Sequence, residues 1–351
     1  MKRNREKASK WISFLMLSML LVICGITSLS AQSRLTEGTA EFFAALPAGS
    51  TGPEGLTVGP DGTVYVSTFG FTKDVASSSP GHLIAFRDNG ALIRDVVVSG
   101  ASPHLIGLNF NPVTGDLLIV DFPNKAALKV DPVTGASSVF MTVSGNAFLN
   151  DLTFDRAGNV YVSDSVQGII WKAGPQGGPG VAWISDPLLT STGFPPFGAN
   201  GLRFNHAQDT LFVTNTGNGT VIEIPVANGN PGKPSVFVNG AITADGLAID
   251  SHENLWIVAN QADEIIVVNP GGKVIARSGE FEGMSASGQP RGLLFPASIA
   301  FSPDGNTAYI SNLSLNVEIL GLTPAVDTPW TKLVNSYTIS KMRVRLQPDQ
   351  E

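Results

Sequence analysis

The chain has 351 residues, 43% of them hydrophobic and 15% charged, with a net charge of −7. That acidic balance argues against nucleic acid and anionic membranes as partners. The single cysteine, Cys24, leaves no disulfide framework and speaks against a structural zinc site built on thiolates.

Residues 1–31 read as an export signal. Lys2, Arg3, Arg5, Lys7 and Lys10 form a basic head, residues 11–26 are an apolar run, and small residues follow, with cleavage expected near Ala31. An uncleaved anchor is the alternative. Ile23 stands where a lipoprotein would need a small residue before Cys24, which disfavours lipidation. The five leader cations, less Glu6, contribute +4, so the mature chain carries −11. It is expected to be exported, periplasmic or extracellular, with no membrane contact once the leader is removed.

Six related phrases follow, opening at Glu54, Ile106, Asn150, Asn200, Asp245 and Ala297, at intervals of 52, 44, 50, 45 and 52 residues. Each reads as a strand, a turn such as Pro60-Asp61-Gly62 or Arg156-Ala157-Gly158, and a second strand. Third strands are expected at 82–86, 127–130, 168–171, 221–224, 264–268 and 317–320. Fourth strands follow in five copies. A period in the forties and no long helical pattern after the leader predict an all-β six-bladed propeller of four-stranded antiparallel blades. The sixth copy has no adjacent fourth strand, and residues 40–46 resemble one, so an N-terminal strand is expected to close the ring. Residues 337–346 also alternate and compete for that place. The propeller is accordingly assigned to 32–322, and 323–351 to a C-terminal extension packed on the last blade.

Aligned, four of the six opening residues carry an oxygen donor: Glu54, Asn150, Asn200 and Asp245. Inner strands line a propeller's channel, so these side chains should converge on its axis. Had turn geometry demanded the oxygen, Ile106 and Ala297 would carry one too. Two carboxylates and two amides make an all-oxygen set suited to one divalent cation, calcium or a similar hard ion. Thr68, Asp121, Asp164, Asn215, Asn260 and Asn312 form a second column; all six are polar, which favours a local structural role. Asp151 is expected to cap its own turn, or to hold a second cation. His104, two residues before Ile106, is the one histidine placed to carry a proton near the mouth.

The ordered set resembles the SMP-30/gluconolactonase/LRE-like family, calcium-dependent six-bladed propellers that include sugar lactonases, over about residues 40 to 322. The resemblance rests on Glu54-Gly55, Asn150-Asp151, Asn200-Gly201-Leu202 and Asp245-Gly246-Leu247, and implies that Glu54, Asn150, Asn200 and Asp245 are the metal ligands. Two departures stand out. Sugar-lactone members place an Arg where this chain has Phe148, and Gly168 stands near the place of an expected acidic residue. With Phe69, Phe71, Phe194, Pro195, Pro196, Phe197 and Phe295 near the rim, the expected substrate is less polar than gluconolactone.

The expected function is a metal-dependent hydrolase opening lactones or related esters. Asp245 would hold the ion and take a proton from the attacking water, while Phe148, His104 and Phe197 would contact substrate. The competing expectation is a non-catalytic propeller that binds a ligand or a protein.

Overall fold

The structure, a computed structural model, describes residues 38–344; the expected leader lies outside the described residues. Six antiparallel sheets of four principal strands form a six-bladed propeller. The inner strands are Pro53–Val58, Leu105–Phe110, Leu149–Phe154, Ala199–Phe204, Ala244–Ile249 and Pro296–Phe301. Each packs against the inner strands of its two neighbours, the sixth returning to the first. Among the described residues the one α-helix is Thr328–Thr331.

The last blade is ordered, from the axis outward, Pro296–Phe301, Thr307–Asn312, Thr338–Arg343 and Glu41–Ala45. The N-terminal segment is therefore its outermost strand, as expected. The third strand is not the expected 317–320. Val317–Leu320 is a 3-10 turn, capped by Asn316 and ended by Gly321 at φ 73. Thr338–Arg343 takes the third place and pairs with both neighbours, as Asn312↔Thr338 and Glu41↔Lys341. The two segments that competed for one place thus lie side by side, and the ring runs to Arg343 rather than to 322. Residues 313–337 become an arch thrown out from the last blade.

Apolar side chains fill the seams between blades. Between the sixth and first, for example, Phe43 packs on Tyr309 at 4.7 Å and on Phe86 at 6.4 Å, beside buried Leu56 and Ile84.

A candidate metal centre on the propeller axis

Every inner hairpin shifts register at its opening residue. The breaks fall between Pro53 and Leu56, Leu105 and Leu108, Leu149 and Leu152, Ala199 and Leu202, Ala244 and Leu247, and Pro296 and Ile299. A bulge frees a residue from the strict alternation of the strand and re-aims its side chain. Glu54, Asn150, Asn200 and Asp245 all occupy this bulge, and the glycine beside three of them is required by the next blade. A Cβ at Gly55 would lie 2.4 Å from the Ile106 carbonyl oxygen, and one at Gly201 2.7 Å from that of Asp245. The Asn-Gly and Asp-Gly pairs thus mark close blade packing, not chain reversal.

Buried hydroxyls on the second strands hold the bulges in place. Ser67 Oγ accepts from Gly55 N at 3.1 Å and donates to the Ile106 carbonyl at 2.7 Å. Thr214 Oγ1 donates to the Asp245 carbonyl at 2.5 Å, and Ser311 Oγ to that of Glu54 at 2.6 Å. Each crosses a blade boundary, so two of the site's backbone positions are latched from the preceding blade. These residues were missed in the sequence because a Ser or Thr inside an apolar strand is ordinary; their recurrence one place before the polar closing column was the available signal. Removing one hydroxyl strands a buried carbonyl, so Ser311→Ala is expected to cost about 1–3 kcal/mol in urea unfolding.

Glu54, Asn150, Asn200 and Asp245 line one cavity of ≈ 370 Å³ at the axis. Glu54, Asn200 and Asp245 are buried and Asn150 half-buried. Asn200 Nδ2 donates to Thr216 Oγ1 at 2.9 Å, and the same amide lies within hydrogen-bonding reach of Asp245. Asn260 Nδ2 donates to Asp245 Oδ2 at 2.9 Å and to the Pro296 carbonyl at 3.1 Å. Asn260 is thus the member of the polar closing column that reaches the site. The other five pin loops: Asp164, for instance, accepts from Phe148 N at 3.0 Å and from Trp171 Nε1 at 3.0 Å.

Asp151 binds Arg203 Nη1 at 2.7 Å through Oδ2 and accepts from Leu152 N at 2.8 Å through Oδ1. It is a charge-paired structural residue one step from the site. By contrast, neither Glu54 nor Asp245 has a cationic partner among the described residues. Burial pushes the Glu54 carboxyl well above the usual carboxylate range, and the charges of Asp245 and Asp151 push it further. Burial likewise raises Asp245 to about 7, against the lowering effect of its hydrogen bonds from Asn260 and Asn200. Two buried carboxylates lacking positive charge are costly, and a divalent cation among these oxygens would relieve that cost. The donor set therefore fits a hard cation. Among the described residues no three His, Cys, Asp or Glu side chains cluster to hold a metal; the axial group has two carboxylates and draws its other oxygens from amides.

Of the expected substrate contacts, Phe148 and Phe197 line the cavity, 5.2 Å apart between ring centroids. His104 does not. Its Nδ1 lies 2.6 Å from the Phe69 carbonyl and its ring stacks on Phe71 at 4.5 Å, so it buttresses two wall residues from behind. Of the seven expected rim residues, six line the cavity, namely Phe69, Phe71, Phe194, Pro195, Phe197 and Phe295, and Phe122 joins them; Pro196 does not.

The arch adds Leu313, Leu315, Val317, Leu320, Leu322, Thr323 and Ala325 to the wall, which Ile106, Thr216, Asn260 and Gln261 complete. It is fastened by a carboxyl pair. Asp263 Oδ1 accepts from Phe295 N at 2.7 Å, and its side chain is hydrogen-bonded to that of Asp327 at the start of the helix. Burial, then the Asp327 charge, raises Asp263 to about 8; burial raises Asp327 to about 6. Both carboxyls hold protons more tightly in the folded chain than the unfolded value near 4. The native state thus binds more protons between about pH 4 and pH 8, and stability falls as pH rises through that window. Asp263→Asn keeps the acceptor for Phe295 N and supplies a permanent donor to Asp327. Thermal melts from pH 5 to pH 9 are expected to show a loss of about 5 °C or more in the wild type and a clearly flatter profile in the variant.

Fold and site together define a six-bladed β-propeller with an oxygen-rich axial centre under an apolar mouth. The sequence pattern of the SMP-30/Gluconolactonase/LRE-like region matches residues 101–279, and that of the strictosidine synthase-like N-terminal region matches residues 42–69. The chain belongs to the SMP-30/gluconolactonase/LRE-like family. No curated protein sequence matches it. Among solved structures it is similar to a gluconolactonase from Xanthomonas campestris, at 13% identity over 89% of this chain and 91% of that one, with a TM-score of 0.61. It is also similar to a luciferin-regenerating enzyme, at 15% identity over 87% and 97%, TM-score 0.60. A third is regucalcin, a calcium-binding protein from Agrobacterium tumefaciens, at 16% identity over 87% and 97%, TM-score 0.58. At these identities the likeness is one of fold.

Proposed function

We propose that the protein is an exported, metal-dependent hydrolase that opens lactones or related esters. The observation that carries this is the meeting of two buried, cation-free carboxylates with two Asn amides at the polar end of an apolar cavity. Family membership supports it, as do the gluconolactonase and calcium-binding regucalcin among its structural neighbours. Glu54, Asn150, Asn200 and Asp245 would hold the cation, calcium by the hardness of its donors, and the ion would supply Lewis-acid polarisation of the substrate carbonyl.

The chain's own residues do the rest. Asn260 fixes the Asp245 carboxylate, so that the group which takes a proton from the attacking water is already oriented. Thr216 holds the Asn200 amide nitrogen, which presents the amide oxygen as the donor to the ion. Arg203 pairs with Asp151, so the carboxylates of the centre left without a cationic partner among the described residues are Glu54 and Asp245. The apolar walls exclude bulk water from the reacting carbonyl. Export rests on the basic head and apolar run of the leader; N-terminal sequencing of the mature protein checks it, with a start near residue 32 expected.

The test is hydrolysis of a panel of lactones and aryl esters with and without a chelator. Turnover that disappears on chelation and returns with calcium is the expected result. Turnover indifferent to chelation would refute metal dependence, and none on any ester or lactone would refute the hydrolase.

A further inference from the structure

Resting on the hydrolase reading above, we propose that the substrate is a lactone bearing an unbranched apolar tail, held in an aromatic collar centred on Phe148. The cavity is divided by chemistry. Its carboxylates and the amides of Asn150 and Asn200 belong to the axial bulges, Thr216, Asn260, Gln261 and Thr323 add a few further polar groups, and the rest of the wall is aromatic and aliphatic; no Arg, Lys or His stands among the lining residues described. On one side Phe148 packs against Phe122 at 3.8 Å and against Phe197 at 5.2 Å. The three come from different blades, so the collar is built by the ring and not by one loop. Across the mouth Phe69 packs on Phe71 at 4.8 Å, backed by His104, and Leu315 and Leu320 of the arch complete the wall.

Such walls discriminate in both directions. A sugar lactone carries more hydroxyls than the few polar groups of this wall can satisfy, and each one buried unpaired costs about 1–3 kcal/mol. Methylenes gain from the same burial. Size limits the tail: at about 30 Å³ per heavy atom, a cavity of ≈ 370 Å³ holds roughly a dozen atoms. Roughly six go to a five-membered lactone with its carbonyl, leaving roughly six for the tail on the same scale.

The experiment measures kcat/KM on γ-butyrolactone and its γ-alkyl series from methyl to octyl, with glucono-δ-lactone alongside. The expected rise is about threefold to fourfold per methylene, levelling near hexyl, with gluconolactone at least about tenfold below the hexyl lactone. Phe148→Arg is expected to cut the ratio of hexyl to unsubstituted rates by about tenfold or more. Rates independent of chain length, or gluconolactone matching the hexyl lactone, would overturn the proposal and leave the hydrolase reading intact. Calorimetry on the wild type, with pyrrolidinone and its hexyl derivative as inert analogues, keeps the two readings apart. If every lactone and aryl ester is inert but the hexyl analogue binds about thirtyfold tighter or more, the hydrolase reading falls and the tail site stands. If the hexyl analogue binds no tighter, the tail site falls whatever the rates.

Discussion

Asp245→Asn is expected to lower kcat/KM on a responsive lactone by about 10³-fold or more, with the fold retained. The substitution is nearly isosteric, and it keeps an oxygen that can accept from Asn260 Nδ2, the bond that fixes Asp245 at 2.9 Å. It removes one of two anionic donors and the only base with a carboxylate fixed by Asn260. Because Asp245 is buried without a cationic partner, the variant should melt no lower than the wild type when no metal is present. Loss of activity beside an unchanged or higher Tm separates a chemical role from a structural one. Rates within about tenfold of wild type would retire Asp245 as ligand and base.

The second large effect is on metal-linked stability. A ligand that binds only the folded state stabilises it by about 2.7 kcal/mol at a hundred times its Kd. For a domain of this size that is roughly 4 °C in Tm. Calcium is expected to produce such a rise, magnesium a smaller one, because a magnesium ion demands tighter octahedral geometry and sheds water reluctantly. In Glu54→Gln, which halves the formal charge of the donor set, the same calcium concentration is expected to give little or no shift. A wild-type Tm that ignores calcium, or a Glu54→Gln variant that responds as the wild type does, would contradict the assignment.

Much of this was legible in the repeats. The opening column brought Glu54, Asn150, Asn200 and Asp245 to one cavity because their spacing matches the blade period, and the inner hairpins followed from their turns. The last blade was misread for a physical reason. Residues 317–320 and Thr338–Arg343 are both short and apolar enough to be strands, and only non-local pairing with Thr307–Asn312 and Glu41–Ala45 decides between them. The Asp151–Arg203 pair was hidden likewise: its members are 52 residues apart, about one blade, and meet only through the register of adjacent inner strands. His104 was misplaced because nearness in sequence to Ile106 does not say which side of Phe69 and Phe71 an imidazole will occupy.

Diffraction from crystals soaked in a calcium-mimicking lanthanide tests the central claim most directly. The expected result is one anomalous peak on the propeller axis, with oxygens of Glu54, Asn150, Asn200 and Asp245 at about 2.3–2.6 Å from it. Anomalous density confined to the surface carboxylates, with the axis empty at saturating ion, would contradict it.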